Sequence, residues 1–118
     1  MVVIASRRSV LATRVQVSNQ LSSKILIAHC RSKDDDLGAR VIIVGKDTGW
    51  SFEADISGVT LFWCNLAVED KRLSFTAFDG DMYGDQFWDV RDDGVYGTTK
   101  FTNARYLERE WRRIQRLN

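Results

Sequence analysis

The sequence predicts an all-β protein, built as an antiparallel sandwich or small barrel of about seven to eight short strands. Three observations carry this prediction. Short apolar runs alternate with polar residues at a period of two, and turn residues recur between them. The 118 residues include no proline but four Trp, six Phe and three Tyr, which suit a pleated, half-buried surface. Helical spacing appears only near the C-terminal end.

Residues 1–13 read as a flexible N-terminal arm ahead of a β domain over residues 14–100. Val15-Gln16-Val17 alternates as a first strand, which Ser18-Asn19-Gln20 ends. Leu21 to His29 forms a second run rich in Ile and Leu. The acidic turn Lys33 to Gly38 follows. Its aspartates compete with a strand ladder by bonding nearby backbone N–H groups, and Gly38 can take a positive φ. Arg40 to Val44 is a short β-branched run closed by the loop Gly45 to Gly49.

Trp50-Ser51-Phe52-Glu53-Ala54 alternates strictly, which puts Trp50, Phe52 and Ala54 on one face. Gly58 interrupts the chain before Thr60 to Leu66, a run apolar on both faces, as in a strand covered on each side. Glu69-Asp70-Lys71-Arg72 is a polar hairpin turn. Leu73 to Phe78 returns with Leu73, Phe75 and Ala77 on one face. Asp79 to Asp85 is a loop, Phe87 to Val90 a strand, and Asp93-Gly94 a strong turn signal before Val95-Tyr96. In the basic tail, residues 101–118, Leu107, Trp111, Ile114 and Leu117 fall at helical spacing and predict an amphipathic helix.

With 44% apolar and 28% charged residues, the chain has the composition of a soluble globular domain long enough to bury a core. A net charge of +1 supplies no general field for nucleic acid or a membrane. No nucleic-acid partner and no stable membrane insertion are expected, and a monomer is the expected state. Charge is unevenly placed: six Asp face Arg91 alone between Asp79 and Asp93, and five Arg outweigh two Glu between Arg105 and Arg116. Solvated surface explains both runs. No apolar run approaches the roughly 18 residues of a membrane span. Met1 to Ala5 is shorter than the roughly 7 apolar residues of a secretory leader. A leader, if used, is expected upstream of Met1. No N-x-S/T sequon occurs.

Two cysteines, Cys30 and Cys64, fit one disulfide or two buried thiols. A bridge would close a loop of about 35 residues, stabilise the fold by roughly 4 kcal/mol and imply an oxidising compartment. Neither cysteine has metal-site spacing, and His29 adjoins Cys30 on what would be the opposite strand face. The His reads as structural. Asp79 and Asp81 with Gly84 resemble the opening of a calcium loop, but Val90 stands where that loop requires a bidentate Glu. Gly45 to Gly49 lacks the order of a phosphate loop. The aromatic pairs carry too little basic charge for a single-strand platform, and core packing accounts for them. No metal, cofactor or enzyme is expected.

Read together, several stretches are similar to the plant self-incompatibility protein (S-protein homologue) family. They are Val15 to Leu21, Leu26 with His29-Cys30, Ser32 to Gly38, Trp50-Ser51-Phe52, Gly58 to Cys64, Phe75 with Phe78-Asp79, and Trp88 to Tyr96. The resemblance implies a small secreted β-sandwich with disulfides that acts as an extracellular signalling ligand. In the best-understood role such a protein is made by the pistil, is read by a pollen membrane receptor and leads to rejection of self pollen. The present sequence is not placed in that role.

The family usually carries a second cysteine pair, partly just before the position of Trp88, and Met82 to Phe87 contains none. The resemblance therefore implies a Cys30–Cys64 bond. It also implies an extended last segment, so that Arg105 to Trp111 becomes a strand in place of the helix. A plant cell-surface receptor, or another extracellular protein, is the implied partner. Recognition is expected on loops held by a rigid scaffold. The candidate residues are Lys33, Asp34, Asp35 and Asp36; Glu69, Asp70, Lys71 and Arg72; and Asp81 and Asp85. Two other readings remain: a carbohydrate- or calcium-binding module, and a small secreted hydrolase, which requires carboxylates converging in a cleft.

Overall fold

The alternating segments become strands in a computed structural model that describes residues 10–55, 57–82, 84–98 and 105–113. In chain order the strands are β1 (Val10–Asn19), β2 (Leu26–Ser32), β3 (Asp36–Ile42), β4 (Asp47–Asp55) and β5 (Phe62–Val68). They continue with β6 (Lys71–Phe78), β7 (Gln86–Arg91), β8 (Gly94–Thr98), β9 (Arg105–Glu110) and the two-residue β10 (Arg112–Arg113). Among the described residues there is no helix.

Two five-stranded sheets result, ordered β4-β1-β7-β8-β9 and β10-β6-β5-β2-β3. All pairings are antiparallel except β1 with β7, which run parallel with Val17 opposite Trp88. The inner faces supply the core. Val15, Val17, Trp88 and Val90 from the first sheet meet Leu26, Ala28, Leu66, Leu73 and Phe75 from the second, all buried. Each large apolar side chain so covered stabilises by about 1.5–3 kcal/mol. Trp88 meets Phe75 edge-on at 5.1 Å. At one end of the core, Phe52 packs between Phe62 at 4.6 Å and Phe78 at 5.0 Å.

β5 lies inside its sheet, between β2 and β6. Only its Phe62, Cys64, Leu66 and Val68 positions are buried, however, and Asn65 is exposed. The apolar run Thr60 to Leu66 is thus covered on one face, because among the described residues no further layer packs outside this sheet. Cys30 and Cys64 are register partners on β2 and β5, both facing inward, and are joined in a disulfide.

The C-terminal helix gives way to strands. β9 pairs with β8 from Gly94–Glu110 to Thr98–Arg105, and the chain then crosses to the other sheet, where Arg112 pairs with Arg72. Trp111 makes the crossing, its Nε1 donating to Arg91 O at 2.8 Å. Pairing with an open sheet edge satisfies the backbone that a helix would have satisfied locally, and tertiary context overrides the period. At the other terminus β1 already begins at Val10. The arm reading over residues 1–9 and the tail reading over 101–104 and 114–118 lie outside the described residues.

Asn19 ties the connections together at one end of the sandwich. Fully buried, its Nδ2 donates to Ile42 O at 2.8 Å and Lys24 O at 3.0 Å, and its Oδ1 accepts from Leu21 N at 2.9 Å. Its backbone N–H reaches Lys46 O, and its carbonyl accepts from Gly45 N. One side chain thereby holds the end of β1, the entry to β2 and the β3–β4 turn.

Candidate functional site

Strand direction sorts the connections into two poles. The turns at 33–35, 57–61 and 79–85 gather at one pole. The connections at 20–25, 43–46, 69–70 and 92–93 gather at the other, as the pairing registers require. The candidate loops are therefore not one surface: Lys33 to Asp36, Asp81 and Asp85 lie at the first pole, and Glu69 to Arg72 at the second.

At the first pole a cleft of about 730 Å³ opens beside the ends of β2, β4 and β5. Among the described residues, Asp34, Asp35, Glu53 and Asp55 line it with a single cation, Lys33. Val59 and Leu61 add exposed aliphatic surface, and half-buried Phe52 and Trp63 add aromatic surface. The β2–β3 turn is held by its own polar groups. Ser32 N donates to Asp35 O at 2.8 Å, and Asp35 N donates to Ser32 Oγ at 3.0 Å. Below the cleft, Asp55 Oδ1 accepts from Ser57 N at 2.8 Å, and Thr60 Oγ1 accepts from Asp55 N at 2.9 Å. The floor is stiff as a result.

Gly58 and Gly80 hold the 57–61 and 79–82 turns against each other. A Cβ on Gly80 would lie 2.5 Å from Gly58 Cα, so only hydrogen fits there. Asp81 and Asp85 share this pole without lining the cleft. Asp79 Oδ1 accepts from Asp81 N, so the Asp79 side chain sets this turn and Asp81 supplies its backbone, whereas Asp85 Oδ1 accepts from Arg14 N at 2.9 Å and ties the loop to β1. The loop reading at Tyr83 lies outside the described residues.

Asp36 sits apart from Asp34 and Asp35, as the first residue of β3 on the sheet's outer face. Its Oδ1 accepts from Gly38 N at 2.9 Å and meets His29 Nε2 at 2.6 Å. The Gly38 N–H first, and His29 second, hold its carboxyl below the usual carboxylate range. Gly38 takes φ 78°, as the turn requires. His29 thus has a structural partner, and Cys30 points to the opposite face.

At the second pole Glu69 adopts φ 52° in the tight β5–β6 hairpin and meets Lys24 Nζ at 2.6 Å. Arg72 Nη1 folds back onto the Glu69 and Lys71 carbonyl oxygens. The hairpin is exposed and self-satisfied, with a small cavity of about 150 Å³ behind it.

Among the described residues no group of three or more His, Cys, Asp or Glu is placed to hold a metal ion. The cleft does bring carboxylates from two segments together, the arrangement a hydrolase would need. Asp34, Asp35 and Glu53 are nonetheless exposed to water. A general acid is usually a carboxyl withdrawn from water, and of the four in the cleft only Asp55 is half-buried. Glu53, Asp55, Val59, Leu61 and Trp63 were not singled out from the sequence. The strict alternation of β4, which turns Glu53 outward, was the available signal.

Residues 14–111 match the sequence pattern of plant self-incompatibility protein S1. The chain is 35% identical over 96 residues to S-protein homolog 21 of Arabidopsis thaliana, a match covering 70% of each. It is 34% identical over 76 residues to self-incompatibility protein S1 of Papaver rhoeas, covering 58% of this chain and 55% of that one. A solved structure of self-incompatibility protein homologues, described as a widespread family of small, highly stable, secreted proteins from plants, superposes with a TM-score of 0.72. That superposition covers 88% of this chain and 97% of the other at 17% identity, a likeness of fold. Secretion is consistent with the Cys30–Cys64 bond, since disulfides persist outside the reducing cytosol. By the extent of the sequence match and the shared sandwich, the chain belongs to the plant self-incompatibility protein S1 family.

Proposed function

We propose that this protein is a non-catalytic extracellular ligand, recognised by a plant cell-surface receptor or another extracellular protein through the acidic pole. The observation that carries this reading is the cleft, where, among the described residues, four carboxylates and one lysine surround exposed aliphatic and half-buried aromatic side chains. Such a surface complements a partner that presents basic groups beside an apolar anchor, with charge steering the encounter and the anchor supplying affinity. The stiff Ser32–Asp35 turn and the Gly58–Gly80 contact limit the ordering cost of binding. Lys33, Asp34 and Asp35 are the candidate residues assigned to the contact. The hairpin Glu69 to Arg72, at the far pole, serves as the comparison surface.

The test uses the oxidised protein, fluorescently labelled, and plant plasma-membrane preparations. Saturable binding is expected, with a weakening of about tenfold or more when Asp34→Lys and Glu53→Lys are combined, and little change for Lys71→Glu. Absence of saturable binding, or loss caused only by the hairpin variant, would overturn the assignment. The cleft's pairing of Trp63 and Phe52 with carboxylates also suits a sugar, and binding to glycans alone in a glycan array would favour that second reading.

A further inference from the structure

We infer that two copies of this chain associate through the free edge of β3. Among the described residues the two sheets have four outer strands, β4, β9, β10 and β3. Sheet edges are ordinarily guarded by charge, since unpaired backbone groups invite another strand. β4 presents exposed Glu53, β9 carries Glu108, Arg109 and Glu110, and β10 is a pair of arginines.

β3 keeps its two charges, the exposed Asp36 at its start and Arg40, off the outward face of its middle. Its Asp36 is engaged by His29, and its Arg40 turns across to β4, where Nη1 donates to Thr48 Oγ1 at 2.6 Å and Gly49 O at 3.0 Å. The outward residues of β3 are instead Ala39 and Val41, the latter 68% exposed.

Aliphatic surface surrounds that edge. Ile27 is the register partner of Val41, and Ile25 and Ile43 continue the two strands beyond the pair Leu26–Ile42. All four are exposed, as is the neighbouring Val44. Together they expose apolar area on the order of 400 Å², within the range at which a patch on a monomer is commonly functional. The occupant follows from self-complementarity. The outward face of the strand's middle, Ala39 and Val41, is uncharged and flanked by aliphatics, and the same face turned about a two-fold axis sets aliphatics against aliphatics. The surface is about half of a standard interface per partner, so association in the micromolar range is expected, in place of the monomer the sequence suggested. This surface is distinct from the acidic cleft and is independent of the function proposed for it.

Sedimentation equilibrium of the oxidised full chain, from about 1 to about 500 µM, tests the inference. The mass is expected to climb from 13.5 kDa toward twice that value as concentration rises. Val41→Lys, and separately Ile43→Lys, are expected to raise the dissociation constant more than about tenfold without changing the circular dichroism spectrum or the unfolding midpoint. A wild-type mass of 13.5 kDa throughout would overturn the inference, and binding to phosphatidylcholine vesicles in that case would assign the patch to lipid. Self-association equal to wild type in both lysine variants would overturn it too. So would dimerisation appearing only after residues 1–9 are removed, which would show the edge covered by the chain's own leading segment.

Discussion

Trp88 Nε1 donates to the Ala77 carbonyl at 3.0 Å, a buried hydrogen bond that joins β7 of one sheet to β6 of the other. The same indole packs edge-on against Phe75, so one side chain locks the distance between the sheets as well as filling it. Trp88→Phe keeps most of the packing and leaves the Ala77 carbonyl without its donor. A loss of about 2 kcal/mol is expected, and about 4 kcal/mol for Trp88→Ala. Urea unfolding monitored by circular dichroism measures both.

Asn19 is buried with both ends of its amide engaged, to Ile42 O, Lys24 O and Leu21 N. Asn19→Ala removes partners from three backbone groups at once and is expected to cost about 3 kcal/mol. Asn19→Asp is expected to do no better near neutral pH, because an ionised carboxylate cannot donate to two carbonyls. Faster amide exchange at Leu21 and Gly45 than at the centre of β5 would show that the damage starts at this pole.

The Cys30–Cys64 bond joins register partners whose sequence separation is 34 residues. Replacing both by Ala, which suits buried positions, should lower stability by about 4 kcal/mol on the chain-entropy estimate. Intact-mass measurement checks the premise, since reductant should add two hydrogens to the wild type and none to the double variant.

Asp36 provides a pH dependence whose sign follows from its partners. Its folded-state pKa lies below the ordinary value, chiefly through the Gly38 N–H and then through His29. The carboxylate's contribution is therefore complete above the ordinary value of about 3.9 and is lost as pH falls through the lower folded-state value. Asp36→Asn is expected to lower the neutral plateau of a stability–pH curve and to flatten its acid limb, so that variant and wild type converge at low pH. Thermal unfolding midpoints from about pH 2 to about pH 7 give the comparison.

Alternation made the strands legible. Trp50, Phe52 and Ala54, and Leu73, Phe75 and Ala77, share inner faces as their spacing requires, and Gly38 takes the positive φ of its turn. Sheet order was not legible, because nothing in Val15-Gln16-Val17 says that it will run parallel to β7, some seventy residues later. The tail misled for a related reason. Leu107 and Trp111 are four apart as on a helix, yet an open edge on β8 and a part-buried acceptor at Arg91 O decide their conformation. The cleft escaped notice because its walls come from segments that no local pattern connects. The acidic turn at Lys33 to Asp35 was visible, whereas Glu53 was hidden inside a strand whose inner face drew the reading.

The parallel pairing of β1 with β7 also sets an order of assembly. Strands β2, β3, β5 and β6 lie within residues 26–78, with β4 of the other sheet between them, and their pairings, the longest joining Ile27 to Ala67, need no residue beyond that stretch. The opposing sheet needs residues 10–19 to wait for residues 86–110, a long loop closure of the kind that slows folding. The register that brings Cys30 to Cys64 therefore needs nothing from β7, so the cross-link can form before Trp88 is in place to close the sandwich.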